Sequence, residues 1–173
     1  MAKATSANQT TENLHHAFSG ESQANRRYLF FAKKAEDEGF KQIAKLFRAA
    51  AEAETIHASN HFKRMNGLKS TEENLNAALS GENFEYQNMY PSYITAAKQE
   101  KQESAAWSFD VAGKVEQLHA VLFAKAIQTA KSKKDLAPTD YYVCSVCGNT
   151  VEGTAPDICP ICGSPKNVFF KVA

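Results

Sequence analysis

Cysteine is missing from everything before Cys144, and between residues 10 and 132 proline occurs once, at Pro91. The first absence excludes a disulfide framework spread along the chain; the second leaves a long stretch with almost nothing to interrupt a helix. No apolar run of membrane-spanning length is present, and the N-terminus, MAKATSANQTTEN, lacks the apolar segment of a secretory signal. Neither sign of charge predominates: 20 Lys plus Arg stand against 19 Asp plus Glu. No long-range field therefore gathers nucleic acid or an anionic membrane surface. These absences predict a cytoplasmic chain with neither nucleic acid nor membrane as partner. At 173 residues and 43% hydrophobic content it is long enough to bury a core in one main domain with a small appendage.

What is present is helix-forming composition. Up to about residue 132 the chain is rich in Ala, Glu, Lys, Gln and Leu, with breaks at Glu38-Gly39, at residues 66–71 and at residues 101–104. Four segments of about 25 to 30 residues with short connections predict a mainly α fold, a four-helix bundle. Beyond Lys131-Ser-Lys-Lys-Asp-Leu-Ala-Pro the composition turns to Tyr, Val, Cys, Gly and Pro without helical period. The boundary is drawn there, giving a helical domain over 1–136 and a small β/loop module over 137–173. An internal repeat divides the helical part in two. AFSGESQAN (17–25) matches ALSGENFEY (78–86) at an offset of 61, while Glu54 and His57 match Glu116 and His119 at 62.

The apolar stripes carry acid at mid-length. Leu14, Phe18, Glu21 and Tyr28 lie in one phase, as do Phe40, Ile43, Phe47, Glu54 and His57. The third segment gives Leu75, Ala78, Glu82, Glu85 and Met89; the fourth gives Phe109, Ala112, Glu116, His119 and Phe123. An ionised carboxylate buried without a partner costs at least several kcal/mol, and a domain stable by about 5 to 15 kcal/mol does not absorb that five times. No Lys or Arg falls in phase at that level. Two divalent cations nearly cancel the charge of Glu21, Glu54, Glu82, Glu85 and Glu116, with His57 and His119 as neutral nitrogen ligands. Glu54 with His57, and Glu116 with His119, are three apart and so share a helix face. Glu and Glu-x-x-His ligands paired in this way are the arrangement of ferritin-like di-iron and di-manganese bundles. Tyr28 follows Glu21 by two turns, which predicts a hydroxyl bonded to a ligand carboxylate and, through it, a part in catalysis. His15, His16 and His61 read as surface residues, Met65 and Met89 as core, and Trp107 as packing.

In the tail, Cys144 and Cys147 are followed after eleven residues by Cys159 and Cys162. Two Cys-x-x-Cys pairs make a tetrahedral sulfur site, for which zinc and iron are both suited. Gly148 and Gly163, each following the second cysteine of its pair, predict tight turns with backbone N–H groups directed at the sulfurs. Tyr141, Tyr142, Phe169 and Phe170 are expected to wrap the module.

Over nearly its whole length the chain resembles the rubrerythrins. SGESQANRRY, EAETIHA, SGENFEYQNMYP and KVEQLHA carry the helical resemblance, and the Cys-x-x-Cys-Gly and Cys-Pro-x-Cys-Gly pairs resemble a rubredoxin-type iron centre. The resemblance implies a ferritin-like bundle with a rubredoxin-like module, holding two iron ions among the glutamates and histidines and one at the cysteines, with zinc as an occasional substitute. It implies a non-haem peroxidase that reduces hydrogen peroxide to water in oxidative-stress defence. Electrons would arrive through the cysteine-bound iron from a donor such as a rubredoxin or an NAD(P)H-dependent reductase. A head-to-tail homodimer is implied too, as is an exchange of Glu85 and His57 as ligands of one iron when the oxidation state changes, which makes both catalytic. The alternatives are an iron-oxidising protein of ferritin type, which would form a large shell, and a zinc-binding interaction module that is not an enzyme.

Overall fold

The computed structural model describes residues 6–173, with side chains from residue 9 onward. The chain forms two compact units that meet between Lys69 and Ser70. The first is a hairpin of α1 (Ser6–Asp37) and α2 (Lys41–Arg64). Its core is built of alanines: Ala24, Ala32 and Ala35 on α1 and Ala44 and Ala51 on α2 are all buried, so the two backbones approach closely. Larger residues assigned to the stripe from its phase stay partly in water, Phe40 at 55% and Ile43 at 48% exposure.

In the second unit, a rod runs from Thr71 to Gln99 and packs on α5 (Glu103–Lys131). Ser70 caps it in a reciprocal box: its Oγ accepts from Glu73 N while its own N–H donates to Glu73 Oε2. The expected single helix is instead three pieces, α3 (Thr71–Phe84), a π-helical stretch (Glu85–Met89) and α4 (Tyr90–Gln99). Pro91 gives the physical reason. A proline inside an α-helix clashes with the carbonyl four residues back, and a preceding turn closed by a five-residue step, Tyr90 N to Glu85 O, relieves it. Trp107, assigned to packing, is half exposed on α5.

All four rods end in the same way. The residues at the left-handed position are Gly39, Asn66, Lys101 and Lys133. In each case two N–H groups return to the last turn, as in Phe40 N to Ala35 O at 2.8 Å and Gly39 N to Glu36 O at 3.0 Å. The repeat persists in three dimensions. Tyr28 lies 6.2 Å from Phe47 with an interplanar angle of 38°, and Tyr90 lies 6.3 Å from Phe109 at 37°. Phe31 to Phe47 and Tyr93 to Phe109 are 5.6 and 5.5 Å.

The remainder of the second unit is a three-stranded antiparallel sheet in the order β2-β1-β3, with β1 Tyr141–Cys144, β2 Thr150–Glu152 and β3 Phe169–Lys171. Val143 pairs with Thr150 on one side and Phe170 on the other. Strand β2 is fastened to α5 by Lys125 Nζ, which donates to both carboxylate oxygens of Glu152 at 2.8 and 2.7 Å. Among the described residues, no helix is long and apolar enough to cross a membrane.

Candidate metal centres

Among the described residues three clusters of ligand-type side chains form, each within one unit. In the first hairpin, Glu21 on α1 meets Glu54 and His57 on α2, with one donor atom from each within 4.8 Å of the others. His57 Nδ1 lies 2.8 Å from Glu54 Oε2, the one-turn chelate that the three-residue spacing predicts. Asn25, one turn after Glu21, ties the hairpin together beside the cluster: its Nδ2 donates to Ala51 O at 2.7 Å and to Thr55 Oγ1 at 2.9 Å. Tyr28 packs its ring on Phe31 and Phe47, and among the described residues its hydroxyl has no hydrogen-bond partner. The expected bond to a carboxylate is thus not formed, because the ring is committed to the aromatic layer.

The second unit holds the repeat-related triad, Glu82 on α3 with Glu116 and His119 on α5. His119 Nδ1 lies 2.7 Å from Glu116 Oε2 and 3.8 Å from Glu82 Oε1. Burial, and then the negative charge of Glu116, push the Glu82 carboxyl up to about 7. Glu85 is raised in the same sense by burial and by Glu116. It stands at the start of the π stretch, within the field of the triad but outside its three-donor set. His119 is raised chiefly by its hydrogen bond to Glu116. Tyr90, not singled out from sequence, is raised by burial and then by Glu116, Glu85 and Glu82, which places its hydroxyl in the same negative field. It is the counterpart of Tyr28 once one extra residue is allowed in the third rod.

Each triad suits a cation. Glu82 Oε2 is buried with no hydrogen-bond partner, and a cluster of carboxylates that raises one member to about 7 is one that lacks positive charge. Two oxygens and a nitrogen at these separations are donors for iron, manganese or zinc.

The third cluster joins all four cysteines. Cys144 Sγ lies 3.8 Å from Cys162 Sγ and Cys147 Sγ 3.6 Å from Cys159 Sγ. These distances are far beyond a disulfide and equal the edge of a tetrahedron about an ion with bonds of about 2.3 Å. Two matching turns hold them. Cys144 N donates to Asn149 O and Gly148 N to Cys144 O; Cys159 N donates to Ser164 O and Gly163 N to Cys159 O. Gly148 and Gly163 take positive φ, +82° and +75°. Their N–H groups serve the turn carbonyls rather than the sulfurs. Support for the sulfurs comes one residue later, from Asn149, whose Nδ2 donates to Cys159 Sγ, and from Ser164, whose Oγ lies 3.3 Å from Cys162 Sγ. Burial opposes ionisation of Cys162, but Ser164 and the neighbouring thiols bring it down to about 6, whereas burial raises Cys147. Thiols so crowded shed protons to an ion.

Residues 12–127 match the family model described as Rubrerythrin, and residues 142–170 match that of the rubrerythrin rubredoxin-like domain. Rubrerythrin-2 of Clostridium acetobutylicum is 36% identical over 92% of this chain and 95% of its own. The rubrerythrin of Nitratidesulfovibrio vulgaris is 33% identical over 96% of each. Structures of nigerythrin in mixed-valent and fully reduced, all-ferrous states superpose with a TM-score of 0.55 at 32% identity, over 94% of this chain and 86% of theirs. With both family models matched in order and a relative similar along nearly its full length, the chain belongs to the rubrerythrin family.

Proposed function

We propose that the protein is a hydrogen peroxide reductase, with residues 1–136 as its di-iron domain and residues 137–173 as its electron-entry module. The observation that carries this reading is the presence, in one chain, of two repeat-related Glu/Glu/His triads together with a tetrathiol cluster. Glu21, Glu54 and His57 would hold one iron and Glu82, Glu116 and His119 the other, with Glu85 and His57 as the ligands that exchange when the oxidation state changes. Reduction of peroxide breaks the O–O bond with two electrons and two protons and leaves two waters; iron at the triads supplies the electrons.

The chain's own part is electrostatic and protonic. Glu82 would be deprotonated once it holds an ion, so the carboxyl left to pass a proton to departing oxygen is Glu85, which stands outside the three-donor set and is raised by burial and by Glu116. Cys144, Cys147, Cys159 and Cys162 bind the one-electron centre through which an external reductant, a rubredoxin or an NAD(P)H-dependent reductase, refills the triads. Zinc at any of these sites would leave it redox-silent, and the working unit is a homodimer.

The test is to load the protein with iron, reduce it without oxygen and add peroxide in known amount. One peroxide consumed per triad pair, with return of visible absorption, is the expected result; consumption no faster than with free iron overturns the proposal. Glu85→Ala is expected to slow turnover with the helices intact. Cys144→Ser is expected to abolish cycling driven by added reductant while sparing a single turnover of pre-reduced protein.

A further inference from the structure

His119 and His57 occupy equivalent places in the repeat, yet their outer ring nitrogens differ. His119 Nε2 lies 2.9 Å from Thr150 Oγ1, a residue 31 positions further along the chain on β2. Among the described residues His57 Nε2 has no such partner, and its side chain is 53% exposed against 28% for His119. Thr150 Oγ1 is also 3.1 Å from Gly148 O. A carbonyl only accepts, and a threonine hydroxyl has one proton. That proton goes to Gly148 O, and the oxygen lone pair is left to accept from His119 Nε2–H.

We infer that Thr150 is a positioning residue for His119: it keeps a proton on Nε2, so that Nδ1, which in the metal-free chain donates to Glu116 Oε2, is the nitrogen that gives up its proton and turns a lone pair to a cation bound beside Glu82 and Glu116. This rests on the metal-binding reading above. The threonine is itself held from three sides. Its strand register pairs it with Val143, the neighbour of Cys144. Its acceptor carbonyl belongs to the turn that follows Cys147, where Gly148 N–H is bound to Cys144 O. Two residues on, Glu152 takes the ammonium of Lys125 from α5. The cysteine turn thus orients the histidine of the carboxylate triad through a single hydroxyl, and Thr150 has no direct ligand role.

The probe is Co2+, whose visible absorption separates a sulfur-ligated ion from one held by oxygen and nitrogen. Thr150→Val, which keeps shape and removes the hydroxyl, is expected to weaken Co2+ binding at one triad about 10- to 100-fold with the sulfur-ligated band unchanged, and Thr150→Ser to restore it. Unchanged affinity in Thr150→Val, or no recovery in a folded Thr150→Ser, overturns the inference. A readout needing no variant is the His119 Nε2–H proton resonance of metal-free protein at pH 6, expected to be protected from solvent exchange; free exchange overturns the contact. Should the wild-type triads bind no Co2+ while that proton is protected, it is the metal reading that fails and not the hydrogen bond.

Discussion

At the scale of single residues, Glu82 has the clearest consequence. Its folded-state carboxyl titrates at about 7, above the ordinary carboxylate value of 4.5. The folded state therefore prefers the protonated form, and stability from this group is lost as pH rises from about 4.5 through about 7. His119, raised above 6.5, contributes stability below that value that is likewise lost as pH rises through its folded value. Both act in one direction. Metal-free protein is expected to melt at a lower temperature at pH 8 than at pH 5.5, and Glu82→Gln to flatten that slope; thermal unfolding followed by circular dichroism checks it. Metal-loaded protein should show the opposite trend, since ions bind the deprotonated ligands. Glu21, Glu54, His57, Glu82, Glu116 and His119 were legible because ligands three apart on an apolar stripe declare a shared helix face. Thr150 was not, because nothing local links a strand residue to a helix 31 positions earlier. Asn25 was hidden for a similar reason: its partners lie on the neighbouring helix.

Among the elements, the helix ends and the π stretch are instructive. Lys101 is the repeat counterpart of Gly39, and both take the left-handed conformation, with φ of 57° and 85°. A side chain there costs energy that glycine avoids, so Lys101→Gly is expected to stabilise the protein by about 0.5–1 kcal/mol, read from urea unfolding. The breaks at Gly39, Asn66 and Lys101 were readable from Gly, Asn and polar clusters. The interruption at Glu85–Met89 was readable only indirectly. Glu21 precedes the end of its helix at Asp37 by 16 residues, and Glu82 precedes Gln99 by 17. The growth of the repeat offset from 61 to 62 is therefore one residue inserted into the third rod, and a π turn is what absorbs one residue without breaking a helix. Gly113 makes room for the result, since a Cβ there would come within 3.1 Å of Tyr90 Cβ.

For the molecule as a whole, the mainly helical class and the change to a small strand-and-turn module were apparent in composition, proline placement and cysteine clustering. Which helices form a compact unit with which was not, since the amphipathic period tells only that a face is covered. The module's strands have only three or four residues, and its most deeply buried side chains are Asn149, Cys144 and Cys159, so its order depends on what the thiols hold. Stripping the cysteine-bound ion with a strong chelator is expected to collapse the amide dispersion of residues 141–171 while the helical far-ultraviolet signal persists; nuclear magnetic resonance and circular dichroism on one sample decide it. The single hydroxyl at Thr150 breaks the symmetry between the two halves. An imidazole gripped at both nitrogens is a fixed post, whereas one engaged on a single side is a hinge. Of two histidines that duplication made alike, His57 is thus the less restrained, and under the proposed function it is the one expected to leave an ion at the smaller cost.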